Sequence, residues 1–158
     1  MNDYPEALAV MRRLFTTDCQ FAMATAQDNV PSLRYVDTYL FEDCFYIVTY
    51  GKSRKVREAE QNPRVALCSR QAHAFSGLAK NLGHPCSEGN RAIREALVQA
   101  FAPWYFKHNN ENDPAMCILR IEPETGFFHS DGIGYQVDFV QRTAKTFPFA
   151  FDTVITEG

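Results

Sequence analysis

The segment Thr49-Tyr50-Gly51-Lys52-Ser53-Arg54-Lys55-Val56-Arg57 concentrates four cations in an otherwise acidic chain. It follows Cys44–Val48, a run dense in β-branched and aromatic residues. A strand that ends in a hydroxyl residue, breaks at glycine and opens a helix with Ser53, Arg54 and Lys55 forms a phosphate receptor. The first amides of a helix point at an anion, and the macrodipole favours it. Arg54 offers a bidentate fork and Lys55 a point charge, so the two are not interchangeable. A solvated basic turn with Ser53 as a plain helix cap uses the same residue types, and spacing alone leaves both readings open.

Other titratable residues read as structural. His73 and His129 fall in strand-like runs, where a hydrogen-bonded core histidine is the expectation. His84 and Cys86 flank Pro85 without two further ligands at metal spacing, so no metal site is expected. His108 follows Trp104-Tyr105-Phe106, an aromatic patch that either walls a ligand cleft or packs a helix end onto the fold. No Ser/His/Asp order or carboxylate pair marks a hydrolytic centre, and no catalytic residue is assigned.

The elements that must hold these groups are mostly strands. Aromatic residues make up 13% of the chain, which favours β-rich packing. A net charge of -3 argues against a broad nucleic-acid footprint. The N-terminus does not read as a signal peptide, and no stretch approaches the roughly 20 apolar residues of a membrane span, so a cytoplasmic protein is expected. The five cysteines, Cys19, Cys44, Cys68, Cys86 and Cys117, include no CxxC pair and read as reduced core residues.

Periodicity orders the elements in a single domain spanning 1–158. Ala7, Leu8, Met11, Leu14 and Phe15 recur at helical spacing after Pro5. Strands then read from Phe21 to Ala26, Pro31 to Phe41 and Cys44 to Tyr50, joined by turns at Gln27-Asp28-Asn29 and Glu42-Asp43. A helix capped by Ser53 runs to Gln61 and ends at Asn62-Pro63. Arg64–Ser69 and Ala72–Lys80 read as strands, with Gly77 at a bulge. Ser87–Phe101 reads as a second helix. Ala115–His129 and Tyr135–Gln141 are expected strands broken by turns at Glu122-Pro123-Glu124 and Asp131-Gly132-Ile133-Gly134. Thr143–Thr156 is apolar and extended, suited to a barrel edge or a subunit contact.

The order T-x-x-x-S-R-K, continued by N-P-R-V-A-L at Asn62–Leu67, resembles the core of the pyridoxamine 5'-phosphate oxidase-like family of FMN-binding split barrels. The alternating strand Phe21-Ala22-Met23-Ala24-Thr25-Ala26 and the strand Ser32-Leu33-Arg34-Tyr35-Val36 fit that family's opening. The resemblance implies a mainly β fold with a few helices: a six- to seven-stranded antiparallel split barrel, dimeric, with FMN between two subunits. It implies main-chain contacts from Arg34, Tyr35 and Val36 to the isoalloxazine edge, and a phosphate held by Thr49, Ser53, Arg54 and Lys55. FAD, haem or a deazaflavin are its less favoured alternatives.

The family's enzymes carry a C-terminal Trp strand and an Arg-x-His motif for the vitamin substrate, and nothing after Ile133 resembles either. Tyr39 stands where those enzymes tend to have a Lys. What the resemblance implies is therefore an oxidoreductase or flavin reductase, served by a small-molecule electron donor or acceptor but not oxidising vitamin B6. The alternative is a non-catalytic flavin or haem binder of a storage or stress-response type.

Overall fold

The computed structural model describes residues 2–150. Helix α1 (Tyr4–Phe15) leads into β1 (Cys19–Gln27), β2 (Val30–Phe41) and β3 (Cys44–Tyr50). Then come α2 (Arg54–Gln61), β4 (Arg64–Cys68) and β5 (Ala74–Asn81). A short 3-10 turn, Glu88–Asn90, precedes α3 (Arg91–Ala100) and α4 (Tyr105–His108), and β6 (Met116–Ser130), β7 (Ile133–Asp138) and β8 (Thr143–Pro148) follow. The expected segment Thr143–Thr156 is thus strand as far as Pro148, and its residues from 151 lie outside the described ones.

Tight turns set the hairpins. Asp28 and Asn29 (φ 51° and 62°), Glu42 and Asp43 (48° and 63°), and Asp131 and Gly132 (53° and 79°) are all left-handed. Two such central residues give a turn whose twist matches that of the strands it joins, and Asn, Asp and Gly adopt it at small cost. All pairings are antiparallel, in the order β3-β2-β1-β4-β5-β6-β7-β8, and an additional β3–β6 pairing closes six strands into a barrel. This is the expected mainly β split-barrel class, with β7 and β8 as two extra strands.

Strand β6 makes closure and extension compatible. Its residues Met116–Ile121 pair with β3, and Thr125–Ser130 pair with β7. The turn expected at Glu122-Pro123-Glu124 is absent, because β6 runs through it. The register with β5 shifts there, with Ser76 opposite Thr125 and Gly77 opposite Pro123. Pro123 has no amide to give a ladder, and the bulge absorbs that loss. Gly77 allows the close approach, since a Cβ there would lie 2.1 Å from the Glu122 carbonyl oxygen.

Strands β3 and β6 are buried on both faces. Phe45, Ile47, Leu119 and Ile121 face a core inside the barrel, together with Phe21, Phe75 and Phe128. Helix α1 caps this core with Ala7, Met11 and Phe15, and the Phe15 ring stands edge-on to Phe75 at 5.4 Å. Tyr46, Met116 and Ile118 face outward into a second core with Ile93 and Leu97 of α3, Phe101 and Tyr105. That second core holds the α3–α4 segment against the barrel wall, each large buried ring contributing about 2 kcal/mol. The cysteine expectation changes accordingly. Cys117 is buried, Cys19 and Cys44 are half-buried, and Cys68 and Cys86 are exposed, all of them free. Cys68 lies on the outward phase of β4 and Cys86 in the loop before α3, so neither position reaches a core.

Candidate functional site

Pairing between β2 and β3 is confined to Tyr39–Phe41 against Cys44–Tyr46. Beyond it the two strands part, β2 staying with β1 and β3 with β6. The gap is the barrel's split. It opens a cleft of about 280 Å³, bordered by Tyr35 and Val36 of β2, Thr49 of β3, Lys55 of α2, and Trp104, His108 and Asn109.

The chain enters α2 through Gly51, whose amide donates to the Ala115 carbonyl at 2.6 Å. A Cβ at Gly51 would lie 2.5 Å from that oxygen, so only glycine lets the end of β3 lie so close to the start of β6. Ser53 occupies the N-cap position but makes no side-chain cap bond. Its Oγ is buried and without a hydrogen-bond partner among the described residues, which corrects the expectation of a plain cap. A buried hydroxyl left unpaired at a helix start is a donor awaiting an acceptor. Lys55 Nζ donates to Thr49 Oγ1 at 3.0 Å, and burial, followed by the charge of Arg34, lowers the ammonium's pKa.

Arg54 and Arg34 meet at a carboxylate that residue spacing did not single out. Glu58, 4% exposed, accepts from Arg54 Nε at 2.6 Å, Thr25 Oγ1 at 2.5 Å and Ser32 Oγ at 3.3 Å. Arg34 Nη2 lies 3.7 Å from the same carboxylate, and Arg34 Nη1 donates to Thr25 Oγ1 at 2.7 Å and to the Met23 carbonyl at 3.2 Å. The hydrogen bond from Thr25, then that from Arg54, pulls Glu58 down to about 2 against the cost of desolvation. Arg34 is consumed inside the fold, where it braces β1, β2 and α2. Among the described residues Arg54 spends its Nε alone, and its side chain is 62% exposed, so its terminal nitrogens reach solvent at the start of α2. The i,i+4 spacing of Arg54 and Glu58 was the readable signal for this contact. Thr25 and Ser32 join through strand register, which spacing within α2 does not reveal.

The aromatic patch does both things open to it. Trp104 stacks on Phe101 at 4.6 Å and donates from Nε1 to Asp18 Oδ2 at 2.8 Å, while Trp104 and His108 also border the cleft. Tyr39 packs against the outer core beside α3. A second cavity of about 450 Å³ shares Tyr35 with the cleft and is bordered by Phe15, Phe21 and His73. His73 stacks on His129 at 4.6 Å and accepts the His129 amide at 3.4 Å. Burial, then the charge of His129, pushes His73 down to about 4, so it is neutral at pH 7. His84 is tied to backbone, its ring facing the Glu111 carbonyl and the Cys86 amide.

With this geometry in view, the sequence profile of the pyridoxamine 5'-phosphate oxidase family matches residues 9–130. The chain belongs to that family. A NimC/NimA family protein from Clostridium acetobutylicum superposes with a TM-score of 0.56 at 20% identity, over 89% of this chain and 94% of its own. A FAD-binding protein from Mesorhizobium loti gives 0.57 at 18% identity, over 76% and 91%. HutZ, a haem storage protein from Vibrio cholerae, gives 0.60 at 17% identity, over 81% and 94%. At such identities the likeness is one of fold. No curated protein sequence matches the chain. No helix among the described residues is long and apolar enough to cross a membrane.

Proposed function

We propose that this chain is an FMN-binding oxidoreductase of the split-barrel family, holding the cofactor in the cleft between β2 and β3. The observation that carries the reading is the buried, unpartnered Ser53 hydroxyl at the start of α2, two residues from Lys55 and beside the free end of Arg54. Thr49, Ser53, Arg54 and Lys55 would hold the phosphate dianion, with charge-assisted donors that the Lys55–Thr49 and Arg54–Glu58 bonds use only in part. FMN suits this cluster better than FAD because its terminal phosphate carries both charges to the cations. The main chain of Arg34, Tyr35 and Val36, paired with β1 on one side and with no strand among the described residues on the side facing β3, would meet the ring edge.

When bound, the flavin supplies hydride and one-electron chemistry, and the protein's part is binding, orientation and exclusion of water. The residues of this cleft fit that part. Trp104 and His108 wall it, and Lys55 places a positive charge within it. The second subunit of a homodimer would cover Leu33 and Tyr35, which stand 71% and 62% exposed on the outer phase of β2 next to the cleft. The exposed thiols of Cys68 and Cys86 suit a reducing, cytoplasmic compartment.

The test is titration of the purified chain with FMN, followed by flavin absorbance and fluorescence. Saturable binding near one FMN per subunit supports the reading, and a chain that ignores FMN overturns it. A second reading, a sequestering module for flavin or haem, draws on the haem storage protein that shares the fold. Anaerobic bleaching of bound FMN by NADH or NADPH favours the oxidoreductase, whereas persistent colour favours sequestration.

A further inference from the structure

Asn109 ends α4, its backbone amide donating to the Tyr105 carbonyl at 3.0 Å. The residue borders the same cleft as Thr49 and Lys55. Its Nδ2 is buried and has no hydrogen-bond partner among the described residues. Two of the three such side-chain atoms, Asn109 Nδ2 and Ser53 Oγ, thus belong to residues near one end of β3, though they come from separate parts of the chain.

A buried amide left without an acceptor is costly, and a mobile segment would swing it into water. This segment is held on both flanks. Trp104 is tied to Asp18 at 2.8 Å, and the fully buried Tyr105 donates from its hydroxyl to Glu111 at 2.9 Å. The packing therefore keeps Asn109 at the border of the cleft with its amide nitrogen unpartnered among the described residues. With the Lys55 ammonium on the same cleft, the partner that satisfies it is an acceptor atom of the occupant, which excludes a cationic or wholly apolar occupant.

We propose that Asn109 is a further cofactor-binding residue, donating its carboxamide to an acceptor oxygen of the flavin held in the cleft. The inference rests on the flavin reading above and extends the site to a segment outside the Thr49–Lys55 string. Asn109 is a positioning and affinity residue, with no proton or electron to transfer.

The experiment compares the wild-type chain with Asn109→Leu and Asn109→Asp in titrations with FMN and with riboflavin, alongside melting of the cofactor-free proteins. Asn109→Leu should weaken FMN binding roughly tenfold and leave the cofactor-free melting temperature unchanged or higher, since an unpaired buried donor has been removed. Asn109→Asp, which cannot donate and brings a negative charge, should bind FMN more weakly still. Both results support the proposal, and a loss confined to FMN assigns the contact to phosphate, whereas an equal loss with riboflavin assigns it to the ribityl chain or ring. Wild-type binding with unchanged affinity in both variants overturns the inference alone. A wild-type chain that ignores both ligands overturns the flavin reading and this inference with it.

Discussion

Two carboxylates in this protein, Glu58 and Glu111, are each pulled down to about 2 by an arginine and a hydroxyl, yet their surroundings differ. Glu111 is gripped by Arg94 through Nε at 2.7 Å and Nη2 at 2.8 Å, with the Tyr105 hydroxyl at 2.9 Å and the Cys86 thiol at 3.4 Å. Arg94 meets this carboxylate side-on through two nitrogens, and the pair fastens the loop before β6 to α3 and α4. Glu58 takes the Nε of Arg54 beside the Thr25 and Ser32 hydroxyls, and at the start of the same helix Ser53 Oγ has no partner among the described residues. A depressed pKa therefore does not distinguish a structural clamp from a binding site. The donors left over after the carboxylate is satisfied make that distinction.

The largest effects should fall on opposite properties at the two places. Replacing Arg54 and Lys55 together with Ala should weaken FMN binding by about 3 kcal/mol or more, using the usual value of charged hydrogen bonds, with a smaller loss of cofactor-free stability because Glu58 keeps Thr25, Ser32 and Arg34 around it. Glu111→Gln should do the reverse, costing about 2 kcal/mol of stability because Arg94 loses its charged partner in a half-buried setting, while FMN affinity falls far less because a Gln oxygen still accepts from Tyr105. Denaturant melts and FMN titrations on both variants check the pair. If Glu111→Gln impairs FMN binding as much as the double variant does, the contrast between clamp and site fails.

Acid should expose what the two carboxylates share. Each has a folded pKa near 2 against an ordinary 4.5, so its stabilisation is present above pH 4.5 and lost as pH falls towards 2. His73 acts in an earlier window. Its folded pKa of about 4 lies below the ordinary 6.5, so the unfolded chain takes up that proton first and stability drops between pH 6.5 and 4. Melting temperature against pH should show both declines, and His73→Phe should flatten the upper one alone. A wild-type profile flat from pH 6.5 to 4 would refute the neutral, buried assignment.

The smallest expected effect is at Ser53. Ser53→Ala removes a buried hydroxyl that caps nothing, so cofactor-free stability should stay within about 0.5 kcal/mol of wild type, or rise. FMN affinity should fall roughly fivefold through one lost hydrogen bond. Equal destabilisation with and without FMN would return Ser53 to the role of plain cap.

Local chemistry made much of the fold legible. The hairpin turns at Asp28-Asn29 and Glu42-Asp43 follow from residues that tolerate positive φ, and α1 follows from Ala7, Met11 and Phe15 at helical spacing. Pro123 was misleading for a physical reason. Proline reads as a turn in a single strand, and only the neighbouring β5, with Gly77 opposite, turns it into a tolerated bulge. Ser53 misled in the same way, since the residue type marks a cap but the partner of its hydroxyl depends on what surrounds it.

By itself, the order of residues determined which segments are strands and helices, and that Thr49, Ser53, Arg54 and Lys55 lie together at a strand-to-helix turn, because these are matters of spacing within a few residues. Tertiary structure alone decided that Arg34 joins Arg54 at Glu58, that Trp104 and His108 border the cleft, and that Asn109 borders it with an amide nitrogen that has no partner among the described residues. These contacts join segments tens of residues apart, and which donors are consumed and which remain is settled only when β2, β3, α2 and α4 pack around one opening.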